Sequence, residues 1–361
     1  MLIFRNEGIP MTHKRFSILV VVYTIIFLFL AGLLVYLVDP FVHFHSPFGS
    51  LKVAETNEYY QNVGVARNLQ YDNVIAGSSM AENFQSSWFD EGFGGKSVKL
   101  TFQGGQLVNY KILFDEIFSH QKIKRIFFPL DNFILTDAAS STAIEIPSYL
   151  YGTVENNGLW ESMPYLLNKD VLVKQIPKFL INNIRHENPE DVAYSWNHKF
   201  IFSKEVTLNS YFRIPEEAVQ EMVPDDFFYP TAEGFLNTII PFIEENPETE
   251  FYIWMPPYSI LYWDDSNRQG YTNAEISAQG YVAWNLMQYE NVKVFYFQNL
   301  YDIITDLDNY KDYSHYSKEV NYYIYECFLK GENQLTPKNY HTQMLKTKEI
   351  AETYDFVQLL Y

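Results

Sequence analysis

The chain has 361 residues, a formal net charge of −18, an aromatic content of 18% and a single cysteine. Gripping phosphates takes clustered Lys and Arg, and no such cluster occurs here, which excludes nucleic acid as the expected partner. The lone Cys327 cannot form an internal disulfide, and there is no Asn-x-Ser/Thr sequon. For an exported protein, both absences point to a bacterial rather than an animal surface, that of a single-membrane organism.

The first element is apolar. From Phe16 to Val38 no charged residue occurs, and at about 1.5 Å per residue this run crosses a hydrocarbon core of roughly 30 Å. It ends Val35-Tyr36-Leu37-Val38-Asp39-Pro40 rather than in the small residues of a cleavage site, so it reads as an anchor and not a cleaved leader. Lys14 and Arg15 precede it. The positive-inside rule then keeps residues 1–15 in the cytoplasm and exports everything after the span at 16–38.

Residues 39–72 form a juxtamembrane segment. His43 and His45 alternate there as strand ligands would, but without a companion carboxylate or cysteine cluster they read as packing beside the membrane. Strands are expected at Asn73–Ala76, Ser97–Phe102, Lys124–Leu130, Glu250–Met255 and Val292–Phe297, each a short apolar run. Helices are expected between them, at Leu107–Phe118 and Thr231–Glu245. This βαβ rhythm predicts an α/β domain over 73–331 with a mostly parallel sheet of about five strands.

The interval of about 137–230 breaks that rhythm and is too long for an ordinary connection. It reads as an insertion over the strand ends, a lid, with helical pieces at Trp160–Asn168 and Val171–Ile184. Cys327 lies in an amphipathic stretch, Val320–Leu329. Residues 332–361 form a tail with a helical segment that packs back on the domain.

Two motifs carry chemistry. Gly77-Ser78-Ser79-Met80 closes the first strand, and Asp312-Tyr313-Ser314-His315 supplies an Asp and a His one turn apart before a late helix. In isolation each has a plainer reading, a tight turn and a helix cap. Together, at the carboxyl ends of strands where α/β sheets place their sites, they form a dispersed triad.

With Phe102-Gln103-Gly104-Gly105 after the second strand and Pro129-Leu130-Asp131-Asn132 after the third, the chain resembles a membrane-anchored member of the SGNH (GDSL-like) hydrolase superfamily. The resemblance spans roughly 73–331 with the insertion excepted. It implies a doubly wound, flavodoxin-like sheet. Ser in place of Asp in the first block is similar to exported acyltransferases of surface glycopolymers. The third block departs from the pattern, with Asp131 where the family has Asn and Asn132 one residue later.

The residue types suit acyl transfer. A serine hydroxyl needs a base, so His315 would take the Ser79 proton while Asp312 orients the ring, with Ser78 turned away to support the turn. The N–H groups of Ser79 and Gly104 would meet the oxyanion. Asp131 as a carboxylate only accepts, so either Asn132 is a third donor or the hole has two members. Tyr258, Tyr262 and Trp263 follow the fourth strand on the same edge and are expected to touch substrate.

The resemblance implies no cofactor or metal, and a substrate at the cell surface: an acyl group on exopolysaccharide, teichoic acid or peptidoglycan. Water or a sugar hydroxyl would accept the acyl group, and a polytopic membrane acyltransferase would be the partner of a transferase. The alternative, motivated by Asp131, is a catalytically degenerate protein that binds glycopolymer or scaffolds an envelope complex. A phosphoryl-transfer or metal hydrolase would require a P-loop or a ligand cluster, and the sequence shows neither.

Overall fold

The computed structural model describes residues 12–54, 56–136, 160–356 and 359. In chain order its elements are α1 (His13–Val38), α2 (Glu58–Asn68), β1 (Asn73–Gly77), α3 (Ser86–Phe93), β2 (Ser97–Thr101), α4 (Leu107–His120), β3 (Arg125–Pro129) and α5 (Asn132–Thr136). Then come α6 (Met163–Leu166), α7 (Ile176–Arg185), α8 (Pro189–Val192), α9 (Lys204–Asn209), α10 (Tyr229–Glu245) and β4 (Glu250–Met255). The chain continues through α11 (Ile260–Arg268), α12 (Thr272–Leu286), β5 (Val292–Tyr296), α13 (Tyr301–Ile304), α14 (Lys318–Lys330) and α15 (Tyr340–Thr353).

The five strands pair in parallel in the order β2-β1-β3-β4-β5. Helices cover both sides, so the strands alternate between two cores rather than between core and water. Val74, Ala76, Ile126, Phe128, Ile253 and Val294 join helices α2, α4, α10 and α12 in the larger core. Ile75, Phe127, Tyr252, Trp254 and Phe295 turn the other way, onto α3 and α14. The five expected strands thus all exist, each shifted by at most one residue at an end, and the fold is α/β. The order reverses at β1, which opens a crevice beyond the carboxyl ends of β1 and β3.

Helix α1 is long and apolar enough to cross a membrane, with a mean hydropathy of 3.0. Its last turn is not bare. Val35 is buried with Phe41, Tyr165, Val171 and Ile176 in a third, small core. Asp39 follows in the left-handed region at φ 42°, where its carboxylate accepts the N–H groups of His43, Phe44 and His45 and the Tyr165 hydroxyl.

His43 and His45 lie in bends, not on a strand. His43 is buried against Phe44 and Tyr165, and burial pushes it down to about 4. Both ring nitrogens of His45 contact backbone carbonyls, those of Ser46 and Tyr36. Helix α2, inside the segment read only as juxtamembrane, packs Val65 and Ala66 into the larger core.

Of the expected insertion, 137–159 lie outside the described residues. From Trp160 onward it divides. Helix α6, a π-helical turn at Val171–Gln175 and α7 gather at the end of α1, whereas Ala193–Phe202 passes beside the first-block turn. At the other end of the chain, α15 buries Met344, Thr347 and Ala351, and Cys327 is buried in α14.

Candidate active site

Four strand ends converge on a cavity of about 560 Å³ lined by Ser79, Gly104, Asp131, Tyr258, Tyr262 and His315 among others. The turn after β1 depends on glycine. Gly77 sits at φ 130°, and a Cβ there would collide with the Pro129 ring. Ser78 and Ser79 both line the cavity, but Ser78 is buried, its Oγ accepting the Met80 N–H at 3.2 Å, while Ser79 is only half-buried. Gly104 adopts φ 65°, which favours glycine, and lines the cavity.

Ser79 Oγ lies 2.9 Å from His315 Nε2. On the other side of the ring, Nδ1 lies 2.9 Å from both oxygens of Asp312. The spacing brings the pair together because Asp312 Oδ1 also accepts the backbone N–H groups of Ser314 and His315, closing a turn around the carboxylate. Lys311 Nζ adds an ion pair to Oδ2 at 2.7 Å. Burial would raise Asp312, but the His315 contacts and Lys311 outweigh it and hold the carboxyl well below its usual range. An ionised Asp312 favours the Nδ1–H tautomer, which leaves Nε2 free to accept a proton from Ser79.

Among the described residues, the backbone N–H groups of Ser79 and Gly104 have no hydrogen-bond partner. They are therefore free to meet a developing oxyanion. Asn132 is not: its Nδ2 is given to Tyr262 Oη at 3.1 Å and Glu275 Oε2 at 3.3 Å, and its Oδ1 accepts from Gln279 and Gln298. That buried polar cluster removes Asn132 as a third donor. Burial pushes Glu275, in the same cluster, up to about 7.

Asp131 is fully buried after β3. Its Oδ1 accepts the Tyr258 hydroxyl at 3.1 Å, and its Oδ2 has no partner.

Of the three aromatic residues after β4, two line the cavity. Tyr258 and Tyr262 line the cavity as a stack, with ring centroids 4.6 Å apart. Trp263 does not. It is wholly buried in the larger core, because neighbours on a helix point about 100° apart and α11 turns Tyr262 to the cavity and Trp263 inward.

Two residues of the site went unnoticed in the sequence. Trp196 stands edge-on to His315, with centroids 5.5 Å apart, and Lys311 sits over the Trp196 and Phe200 rings. Lys311 was legible as the neighbour of Asp312; Trp196 carried no local signal.

No protein-family model matches this chain, and no curated protein matches it. Among solved structures it is similar to a chain from Streptococcus pneumonia provisionally described as a platelet activating factor. The two share 11% identity over 75% of this chain and 91% of that one, with a TM-score of 0.38. A likeness that distant carries no argument about chemistry, which rests on the site itself.

Proposed function

We propose that the protein is a membrane-anchored serine esterase or O-acyltransferase of the SGNH type, acting outside the cytoplasmic membrane on acyl groups of a cell-surface glycopolymer. The observation that carries this reading is the chain from Ser79 Oγ through the His315 ring to Asp312, its two contacts each 2.9 Å, in a cavity that Gly104 also lines. The order of the four sequence blocks supports it, and α1 supplies the tether. Exopolysaccharide, teichoic acid or peptidoglycan is the substrate class, and a polytopic membrane acyltransferase is the donor-side partner if the reaction is a transfer.

In this mechanism Ser79 Oγ attacks the acyl carbonyl as its proton passes to His315 Nε2. The carbonyl oxygen takes the negative charge and is met by the backbone donors. Collapse expels the donor alcohol with the proton from His315, leaving an acyl-Ser79 ester. Water or a sugar hydroxyl then gives its proton to His315 and attacks that ester, which regenerates the serine. Labelling by a serine-directed fluorophosphonate tests the reading: wild type should label at Ser79 and Ser79→Ala should not. Equal labelling of the two would overturn it.

A further inference from the structure

Helix α7 is latched to the domain by polar side chains and turns isoleucines outward. Asn183 Oδ1 accepts the Lys52 N–H at 2.8 Å and its Nδ2 donates to the Lys52 carbonyl at 3.0 Å, while Lys178 Nζ donates to the Thr56 carbonyl at 2.7 Å. Val173, Pro177, Ile181 and Ile184, at helical spacing, fall on the opposite face. All four are exposed, Ile184 at 83%. In water such a stripe invites aggregation; at a bilayer surface it is covered.

The start of the stripe lies against α1. A Cβ on Gly32 would meet Leu166 Cβ at 3.8 Å and Leu167 Cδ2 at 3.7 Å, and Val171 and Ile176 pack with Val35. A hydrocarbon core of roughly 30 Å entered at Phe16 takes about 20 residues at about 1.5 Å each, and so reaches about as far as Val35. Gly32 is inside it, which puts the segment touching Gly32 at the lipid boundary. Trp160, 81% exposed just ahead of α6, brings the kind of amphipathic ring that suits the headgroup level.

We propose that α6 and α7 form an interfacial foot, which buries Val173, Ile181 and Ile184 in the outer leaflet beside α1. The inference rests on the reading of α1 as a membrane anchor and goes beyond it, because the domain is then seated on lipid in one orientation instead of swinging on a tether. Exposed Lys169, Lys174 and Arg185 are matched by exposed Glu161, Asp170 and Glu187 along the same stretch. Apolar burial, not headgroup charge, therefore carries the contact. With so few side chains the foot orients the domain but does not hold it once α1 is removed.

The test uses full-length protein in phosphatidylcholine vesicles. Cys327 is buried, so a nitroxide spin label attaches to an introduced cysteine, which wild type treated with the same reagent verifies. Labels at Ile181→Cys and Ile184→Cys should collide with oxygen, which concentrates in lipid, more than with an aqueous nickel chelate. The ratio should be several-fold above that at Phe212→Cys, an 85% exposed position on another segment. Leu28→Cys, within α1, should read as lipid. An unchanged melting temperature certifies the fold of each variant. Water at positions 181 and 184 with lipid at 28 overturns the foot and leaves the anchor standing. Shielding of 181 and 184 from both reagents, the mark of a protein neighbour, overturns the foot as well. Water at position 28 overturns the anchor and the foot together.

Discussion

Trp196 donates its indole N–H to the carbonyl oxygen of Ser79 at 3.0 Å, while its ring stands perpendicular to that of His315. Ser79 and His315, 236 residues apart in the chain, thus share a wall from a third segment. Asn83 straps that segment down: its Oδ1 accepts from Ser195 Oγ and from the N–H groups of Trp196 and Asn197. Trp196→Phe keeps an aromatic ring, though a smaller one, and loses one hydrogen bond of about 1 kcal/mol, so kcat should fall within about ten-fold. Trp196→Ala removes the wall and should cost more in both kcat and melting temperature. Wild-type kcat/KM in both variants would show that Trp196 does not position the site.

The two serines of the first-block turn should separate cleanly. Ser79→Ala should abolish turnover of p-nitrophenyl acetate above the spontaneous rate. Ser78→Ala should retain a measurable rate, since its hydroxyl accepts from Met80 and not from His315. Activity in Ser79→Ala equal to wild type would remove the triad.

Asp312→Asn should lower kcat by about 10² to 10⁴-fold, because an amide no longer enforces the Nδ1–H tautomer. Asp312 is held below its usual carboxyl range, so its contribution to stability is fully present above about pH 4, the unfolded value, and is lost as pH falls. His315→Ala should abolish the activity, since no other described group lies within hydrogen-bond reach of Ser79 Oγ. Asp312→Asn active at the wild-type rate would count against the assigned order of groups.

Asp131 should act on stability with the opposite sign. Its folded carboxyl, pushed up to about 7, binds a proton that the unfolded chain, near 4, releases. Stability from this group is therefore present below about pH 4 and lost as pH rises towards 7, by a few kcal/mol at most. Thermal melts at pH 5 and pH 8 should show a larger decline in wild type than in Asp131→Asn. Identical declines would mean that Asp131 does not titrate in that window. Glu275 has the same sign and stays in both proteins.

The tether should prove to be part of the folded domain at its outer end. Val35 is buried against Tyr165 and Phe41, so replacing residues 1–30 with a cleavable leader should release a soluble, active esterase. Replacing 1–38 should lower the melting temperature by deleting a buried side chain, a loss of about 1 kcal/mol or more. Full-length protein should stay in the membrane fraction, with its C-terminus open to protease added outside protoplasts. If the reaction is a transfer, release should lower acylation of the cell's own polymer, since tethering raises effective concentration beside the donor. A C-terminus protected from outside protease would reverse the topology and remove the surface substrate.

Much was decided by neighbours along the chain and so was legible in the sequence. The length of the apolar run at 16–38 marks α1, and short β-branched and aromatic runs mark five strands whose parallel order follows from the helices between them. Asp312 and His315 announce each other because three residues of spacing suffice to close a turn. Helix α2 carries few apolar positions, and an Asn57 cap, the Arg67–Glu116 pair to α4 and packing of Val65 and Ala66 sustain it.

What the tertiary structure alone decided concerns orientation and burial. Tyr262 and Trp263 are adjacent in sequence, yet one lines the cavity and the other fills the core. Asn132 and Asp131 are neighbours, yet both hydrogens of the amide are taken by Tyr262 and Glu275, while the acid is left with one buried oxygen unpaired. Trp196 reaches Ser79 from a segment with no motif at all. Desolvation and hydrogen-bond partnership depend on which surfaces meet across hundreds of residues, and no local spacing encodes that meeting.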